Sequence, residues 1–317
     1  DYFRQPTAAQ ARRLRRLDKD ALFQPHLDHQ TRSTHPGLRG AIEDDDLNYT
    51  VIGLAVVKRH GAAFTPADVA TCWLNQVPIG RACTAERVAY RNFADCVTPP
   101  LSASVRNPYR EWIGAQIRAD FFGYANPGRP ARAAEWAWRD ACISHVRNGI
   151  YGEMWVAAML AAAYVERDWP RVIRAGLAQI PARSRLREAI EQVLADHAAG
   201  LSYDAVVDKL HRQWNEKNFH HWCHTISNAQ VVAIALLWGE HDFEQTITRA
   251  VMPGFDTDCN GATAGSLWGI CHGVDALPAK WTRPLRDTVR TGVSGYHEVS
   301  IRRLAEDMVD VALKHAR

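Results

Sequence analysis

The stretch that decides the fold lies late in the chain, at residues 254–269, and its sequence is GFDTDCNGATAGSLWG. Gly254 allows a sharp turn, from which Asp256 and Asp258 project their carboxylates. The residues that follow are small enough for a helix to approach its neighbours closely. These small residues are Gly261, Ala262, Ala264, Gly265 and Gly269. Capping a helix requires only one Asp, so the second carboxylate and the small residues together indicate a functional site.

The rest of the chain predicts one helix after another. Apolar residues recur at helical spacing, and we find no alternating apolar pattern flanked by hairpin turns. The predicted helices cover residues 8–23, 45–60, 66–75, 84–95, 131–144, 152–164, 170–177, 184–197, 202–213, 228–238, 243–251 and 262–270, with one or two more within 288–315. An apolar, helix-like run covers residues 111–122. We therefore predict an all-α, multi-helix fold in a single domain over residues 1–317.

Composition excludes several classes of protein. Among 317 residues, 47% are hydrophobic and 23% are charged, which is typical of a folded globular protein. The net charge of +3 provides no basic field, so we expect no nucleic-acid partner. The most apolar stretch, residues 155–165, is about half the roughly 20 residues that span a bilayer and predicts a buried helix, so we expect no membrane partner. Seven cysteines without a CxxC pair favour a reducing cytoplasm.

A second unusual segment lies early, at residues 43–50, with the sequence EDDDLNYT. Four consecutive acidic side chains repel one another, and two interpretations stay open. Such a run is tolerated at a helix N-terminus, where the helix dipole and free N–H groups favour anions. Alternatively, the oxygens form a binding site for a hard divalent cation. If this segment meets Asp256 and Asp258 in the fold, cations must neutralise the pocket, because several unpaired carboxylates repel strongly.

The two segments resemble motifs of the ADP-ribosylglycohydrolase family, which includes the dinitrogenase reductase-activating glycohydrolases. The family has an early Thr-Asp-Asp-Thr-x-(Met/Leu)-Thr motif and a late Gly-Gly-Asp-Thr-Asp-(Thr/Ser) motif before a helix of small residues. This chain has DDDLNYT at residues 44–50 and GFDTDC at residues 254–259. The resemblance covers roughly residues 40–273 and includes weaker matches at 114–118, 144–145 and 148–152.

This resemblance implies an orthogonal all-α bundle whose central cleft holds two Mg²⁺ or Mn²⁺ ions, the second of which depends on Cys259. Position by position, the implied metal ligands are Asp44, Asp45, Asp46, Asp256, Asp258 and Cys259. An alternative register uses Glu43, Asp44 and Asp45 as the early ligands. The implied catalytic residues are Asp45, Asp46 and Asp256. The implied substrate-binding residues are Gly114, Gln116, His145, Asn148, Gly149, Tyr151 and Gly152.

Three departures separate this chain from the family pattern. Asp44 replaces the early Thr and keeps an oxygen ligand, whereas Cys259 replaces the late Thr or Ser with a soft sulfur. The family's N-terminal Gly-rich helix, which ends in Pro-x-Glu, is not found. Because the numbering starts at Asp1, we expect either that this family segment was lost with the start of the chain or that the enzyme lacks it.

Three further clusters have more than one interpretation. Arg118 and Asp120 predict a structural ion pair, with a phosphate contact by Arg118 as the alternative. His220, His221 and His224 have zinc-ligand chemistry, but a pocket wall formed by His224 and Asn228 is the favoured interpretation. Glu153 replaces the missing N-terminal acid or forms a surface salt bridge.

The predicted function is metal-dependent hydrolysis of an ADP-ribosyl or related ribosyl bond at C1″. The implied substrate is a small-molecule or protein-linked ADP-ribose derivative, and we expect a cytoplasmic monomer or small homo-oligomer. Two alternatives stay open. One is a family member that acts on a different nucleoside or glycoside in a biosynthetic or accessory role, and the other is a non-catalytic ADP-ribose-binding module.

Overall fold

The computed structural model describes residues 38–315, whose regular secondary structure is almost entirely helical. The α-helices of this range are α1 (Asp45–His60), α2 (Pro66–Gln76), α3 (Thr84–Ala94), α4 (Asp120–Tyr124), α5 (Pro130–Ala141), α6 (Asn148–Ala163), α7 (Trp169–Leu177), α8 (Arg185–Ala198), α9 (Tyr203–Gln213), α10 (Phe219–Trp222), α11 (Thr225–Trp238), α12 (Phe243–Val251), α13 (Thr257–His272), α14 (Ala279–Thr282) and α15 (Ile301–Lys314). The all-α prediction is confirmed. The helix predicted at residues 8–23 lies outside the described residues.

Local capping signals explain why several predicted boundaries agree with the structure. Helix α1 starts at Asp45 because the Asp44 carboxylate accepts a hydrogen bond from the Leu47 N–H, and it ends before Gly61. Helix α2 starts with a reciprocal capping box between Thr65 and Asp68. Helix α12 also begins and ends at the predicted residues.

Two segments differ from the prediction. The run at residues 111–122 is not one helix but a series of turns, the 3-10 helix Gln116–Arg118 and the start of α4. Its backbone instead pairs with the loop before α11, since Ile113 N–H donates to Cys223 O and Thr225 N–H donates to Glu111 O. Competing long-range hydrogen bonds therefore overrode the helical pattern.

The last part of the chain contains an antiparallel ribbon before its helix. Strand β1 (Thr288–Arg290) pairs with β2 (Glu298–Ser300), with Val289 opposite Val299. The prediction of one or two helices over residues 288–315 is therefore right only for α15. Strands of three residues are too short to produce a recognisable alternating pattern.

Helices α6 and α11 form the centre of the molecule. Every residue of α11 is buried, and α6 is buried from Trp155 to Ala163. The buried helix predicted over residues 155–165 is therefore two residues too long, since Tyr164 and Val165 follow α6 and are exposed. Helices α5, α7 and α4 pack on α6, whereas α12 and α13 pack on α11. Helix α13 also contacts α6. Within residues 38–315, no helix combines the length and the apolar character needed to cross a membrane.

One close helix contact gives a stability prediction. A Cβ at Gly176 in α7 would lie 2.6 Å from Cδ1 and 2.7 Å from the carbonyl oxygen of Trp155. We expect Gly176→Ala to lower the free energy of unfolding by about 1–3 kcal/mol in urea denaturation, because the core cannot absorb the methyl group without shifting backbone. The matched control is Gly269→Ala in α13, where a Cβ would meet no atom of the described residues within 4 Å. That control should leave stability unchanged or raise it by up to about 1 kcal/mol, and equal losses in both variants would contradict the packing argument.

Candidate active site

The two acidic segments meet where α1 and α13 begin. Asp46 lies in the first turn of α1, and Asp258 and Cys259 lie in the first turn of α13. One carboxylate oxygen of Asp46, one of Asp258 and the sulfur of Cys259 all lie within 4.8 Å of one another. Segments far apart in sequence therefore present ligand atoms to one small volume.

The start of α13 is formed by a strained turn. Gly254 and Phe255 both have left-handed backbone angles, with φ of 77° and 63°. Phe255 keeps this conformation because its side chain is buried and its ring stacks on His211. The helix begins at Thr257, so only Asp256 lies at the turn, whereas Asp258 belongs to the first helical turn. The prediction that both carboxylates project from the turn is corrected accordingly.

Asn228 of α11 holds this turn in place. Its Oδ1 accepts hydrogen bonds from the Asp256 N–H at 3.0 Å and from Asn260 Nδ2 at 2.8 Å. Its Nδ2 donates to the carbonyls of Trp222 and His224, each at 2.9 Å. We predicted Asn228 for the pocket wall, but it is fully buried and connects the loop before α11 to the acidic segment at the start of α13.

Burial and mutual repulsion dominate the electrostatics of the cluster. Both raise the pKa of Asp46 well above its ordinary value, with Asp44, Asp45, Asp256 and Asp258 as the repelling carboxylates. The same causes, burial first, raise the pKa of Asp44 to about 7 and that of Asp256 to about 8. The cluster therefore requires protons or cations to balance its charge.

The chemistry of this donor set fits divalent cations. Carboxylate oxygens are the ligands that Mg²⁺ and Mn²⁺ prefer, and the N-termini of α1 and α13 keep these acids close together. Cys259 is the exception, because a thiol is a poor ligand for Mg²⁺. Of the predicted oxygen ligands, Asp46 and Asp258 have carboxylate oxygens within 4.8 Å of each other, and the ligand roles of Asp44, Asp45 and Asp256 stay a prediction.

The raised pKa values predict how the metal-free protein responds to pH. The ordinary carboxyl value is 3.8, while the folded pKa values of Asp44 and Asp256 are about 7 and about 8. Between pH 3.8 and the folded pKa values, the folded chain binds more protons than the unfolded chain. The free energy of unfolding therefore falls as the pH rises through this range. In thermal melts with a chelator, we expect Tm to be several degrees lower at about pH 8 than at about pH 5.

Mn²⁺ should reverse this loss, and its stabilising effect should be larger at the higher pH, where fewer protons compete for the carboxylates. If the Tm of the metal-free protein is constant or rises between about pH 5 and pH 8, the proposed repulsion among these carboxylates is contradicted.

Several predicted substrate-binding residues are deeply buried. His145 is fully buried, its Nδ1 lies 2.9 Å from Ser144 Oγ, and burial lowers its pKa well below the usual range, so the ring is neutral. Asn148 donates from Nδ2 to Glu111 at 2.8 Å and accepts at Oδ1 from Leu186 N–H. Gln116 is fully buried, and neither amide atom has a hydrogen-bond partner among the described residues.

The predicted glycines lie at close contacts between elements. A Cβ at Gly114 would overlap the Glu86 carboxylate, and one at Gly152 would lie 2.5 Å from Thr225 Cγ2. Gly149 and Gly152 belong to α6, which starts at Asn148, one turn earlier than predicted. Tyr151 is half-buried beside them. The substrate-binding role of this set stays a prediction.

Arg118 forms a buried ionic network that the sequence did not reveal. Its guanidinium contacts Asp140, lies 2.8 Å from Glu86 Oε1 and lies 3.5 Å from Glu153 Oε2. The predicted pair with Asp120 is wrong, since Asp120 accepts from Tyr124 Oη instead. The surface salt bridge suggested for Glu153 is also wrong, because Glu153 is fully buried.

Within residues 38–315, Asp46, Asp258 and Cys259 are the one group of three metal-ligand side chains in reach of a common ion. The histidines considered for zinc do not form such a group. His221 Nδ1 accepts from the Asn215 N–H, and His224 Nδ1 accepts from the Ile226 N–H at the start of α11.

The chain resembles known proteins in sequence and in fold. A family model described as ADP-ribosylglycohydrolase matches residues 3–316. A solved structure titled "ADP-ribosylglycohydrolase-related protein complex" is similar, with a TM-score of 0.54, 20% identity, and coverage of 85% of this chain and 79% of the other. At this identity the likeness shows the fold alone. The search of curated proteins finds no match. Because the family model spans nearly the whole sequence, this chain belongs to the ADP-ribosylglycohydrolase family, a hydrolase family with an all-α fold.

Proposed function

We propose that this protein is a divalent-metal-dependent hydrolase that cleaves an ADP-ribosyl, or closely related ribosyl, glycosidic bond at C1″. The observation that carries the proposal is the meeting of Asp46 with Asp258 at the starts of two helices, in a chain that belongs to this family. The substrate is expected to be a small-molecule or protein-linked ADP-ribose derivative.

The acidic cluster would perform three tasks in the reaction. Asp44, Asp45, Asp46, Asp256 and Asp258 would hold two divalent ions. When bound, such ions would polarise ribose hydroxyls and make a nearby water more acidic. Asp45 would accept the proton of the attacking water as a general base. The surrounding negative charge would stabilise the cationic character that develops at C1″ in an oxocarbenium-like transition state.

The experiment incubates the full chain with ADP-ribosyl-arginine, ADP-ribosyl-serine or O-acetyl-ADP-ribose, and measures released ADP-ribose by chromatography. We expect release with Mn²⁺ or Mg²⁺ from at least one substrate and none after chelation. Metal-independent release would contradict the proposed mechanism. Tight binding of ADP-ribose without turnover of any substrate would favour a binding module. Absence of both would favour a different glycoside or nucleoside.

A further inference from the structure

Cys259 places a sulfur among the carboxylates of the candidate metal centre. Its side chain is buried, and its Sγ lies within 4.8 Å of oxygens from both Asp46 and Asp258. The sulfur is therefore part of the donor set, and it is held there by the first turn of α13.

The spacing of these three atoms is compatible with a single ion. In a tetrahedral site, metal–sulfur distances of about 2.3 Å and metal–oxygen distances of about 2.1 Å place ligand atoms roughly 3.5 Å apart. Small side-chain rotations would bring atoms that lie within 4.8 Å to that spacing. Since Asp46 and Asp258 are only partly buried or exposed, their side chains have room for such rotations.

The sulfur changes which ion this donor set favours. Mg²⁺ requires a nearly octahedral shell of oxygens and retains several waters, whereas thiolate selects zinc-like ions. The other carboxylates of the cluster, Asp44, Asp45 and Asp256, offer oxygen only. The two halves of the cluster therefore differ in ligand softness.

We propose that Cys259 is a metal ligand and that the ion it shares with Asp46 and Asp258 is of the zinc class, such as Zn²⁺ or Co²⁺, in preference to Mg²⁺. This inference rests on the proposed function, because it concerns the same metal centre. It adds that the centre is chemically asymmetric, with one sulfur-containing position and oxygen-only ligands for a second ion.

The test is a Co²⁺ titration of the full, metal-free chain, because a cobalt–thiolate bond gives an intense charge-transfer band in the near ultraviolet that carboxylates do not. The key variant is Cys259→Ser. The matched control is Cys223→Ser, because Cys223 is also buried and its Sγ lies 3.6 Å from Asp256 Oδ2, outside the three-atom group. Calorimetry measures binding separately from the band, and circular dichroism verifies folding.

We expect the band in the parent protein and in Cys223→Ser, and its loss in Cys259→Ser. Calorimetry should show that Cys259→Ser binds Co²⁺ and Zn²⁺ at least roughly 10- to 100-fold more weakly, while Mg²⁺ affinity is unchanged or increased. Cys259→Asp should also lack the band and should bind Mg²⁺ more tightly than the parent, which tests the same claim with a second variant.

Three results would overturn the inference while leaving the metal-dependent hydrolase standing. These are Co²⁺ binding to the parent without a band, a band that persists in Cys259→Ser, and a band that disappears in Cys223→Ser alone. If no divalent ion binds the parent protein at all, both this inference and the proposed function fail.

Discussion

Replacing Asp258 with Ala is expected to lower turnover by at least about 10³-fold, which corresponds to roughly 4 kcal/mol of transition-state stabilisation. The variant removes a carboxylate that lies beside Asp46 and Cys259, and so would remove one ligand of the proposed metal centre. Metal affinity measured by calorimetry should fall in parallel. Asp258 is chosen because its side chain is exposed, whereas Asp256 is buried in the turn that starts α13.

Two controls separate this loss from unfolding. Asp275→Ala removes an exposed acid just beyond the far end of α13 and should keep full activity. Without metal, Asp258→Ala should be at least as stable as the parent protein near neutral pH, because it removes one of the charges that repel Asp44 and Asp46. Activity within a few-fold of the parent would exclude Asp258 from the metal centre.

Replacing Arg118 with Met is expected to lower the free energy of unfolding by about 3–5 kcal/mol, measured by urea denaturation near pH 7.5. Arg118 is 1% exposed, and its guanidinium pairs with the buried carboxyl groups of Glu86, Asp140 and Glu153. Removal of one partner from a buried ionic network leaves the remaining charges without compensation. The resulting loss in the free energy of unfolding is larger than the net stabilisation that the intact network provides.

The pH dependence of this variant supplies an internal check. Burial raises the pKa of Glu86 to about 7 even beside Arg118, so the carboxyl groups take up protons more readily once the cation is gone. The loss of stability in Arg118→Met should therefore be smaller at about pH 5 than at about pH 8. The matched control is Arg171→Met, which removes surface ion pairs, since the Arg171 side chain is 73% exposed. It should lower the free energy of unfolding by less than about 1 kcal/mol. Similar losses in both variants would contradict the buried-network account.

The helical fold and the acidic segments could be predicted because their signals are local. The caps at Asp44 and Thr65 lie within three residues of the groups that they bind. The carboxylates near residues 45 and 257 are conspicuous because like charges rarely cluster without a reason. Their meeting in the fold was an inference from that charge, and resemblance to the family supplied the ligand roles.

Other features depended on partners far away in the chain. Arg118 pairs with Glu86 and Glu153, which lie 32 or more residues from it, so no spacing indicated the network. Asn228 was visible in sequence, yet its bonds to Asp256 and Asn260 exist only because α11 and α13 pack together. The run at residues 111–122 had a helical pattern, but hydrogen bonds to residues 223–225 determined its backbone.

The most direct measurement is anomalous diffraction from a crystal of the full chain soaked in Mn²⁺. We predict an anomalous peak within coordination distance of carboxylate oxygens from both Asp46 and Asp258, so that one ion joins the starts of α1 and α13. A peak that contacts only one of the two segments, or a fully occupied ion elsewhere with none between them, would contradict the claim that they form a shared metal centre.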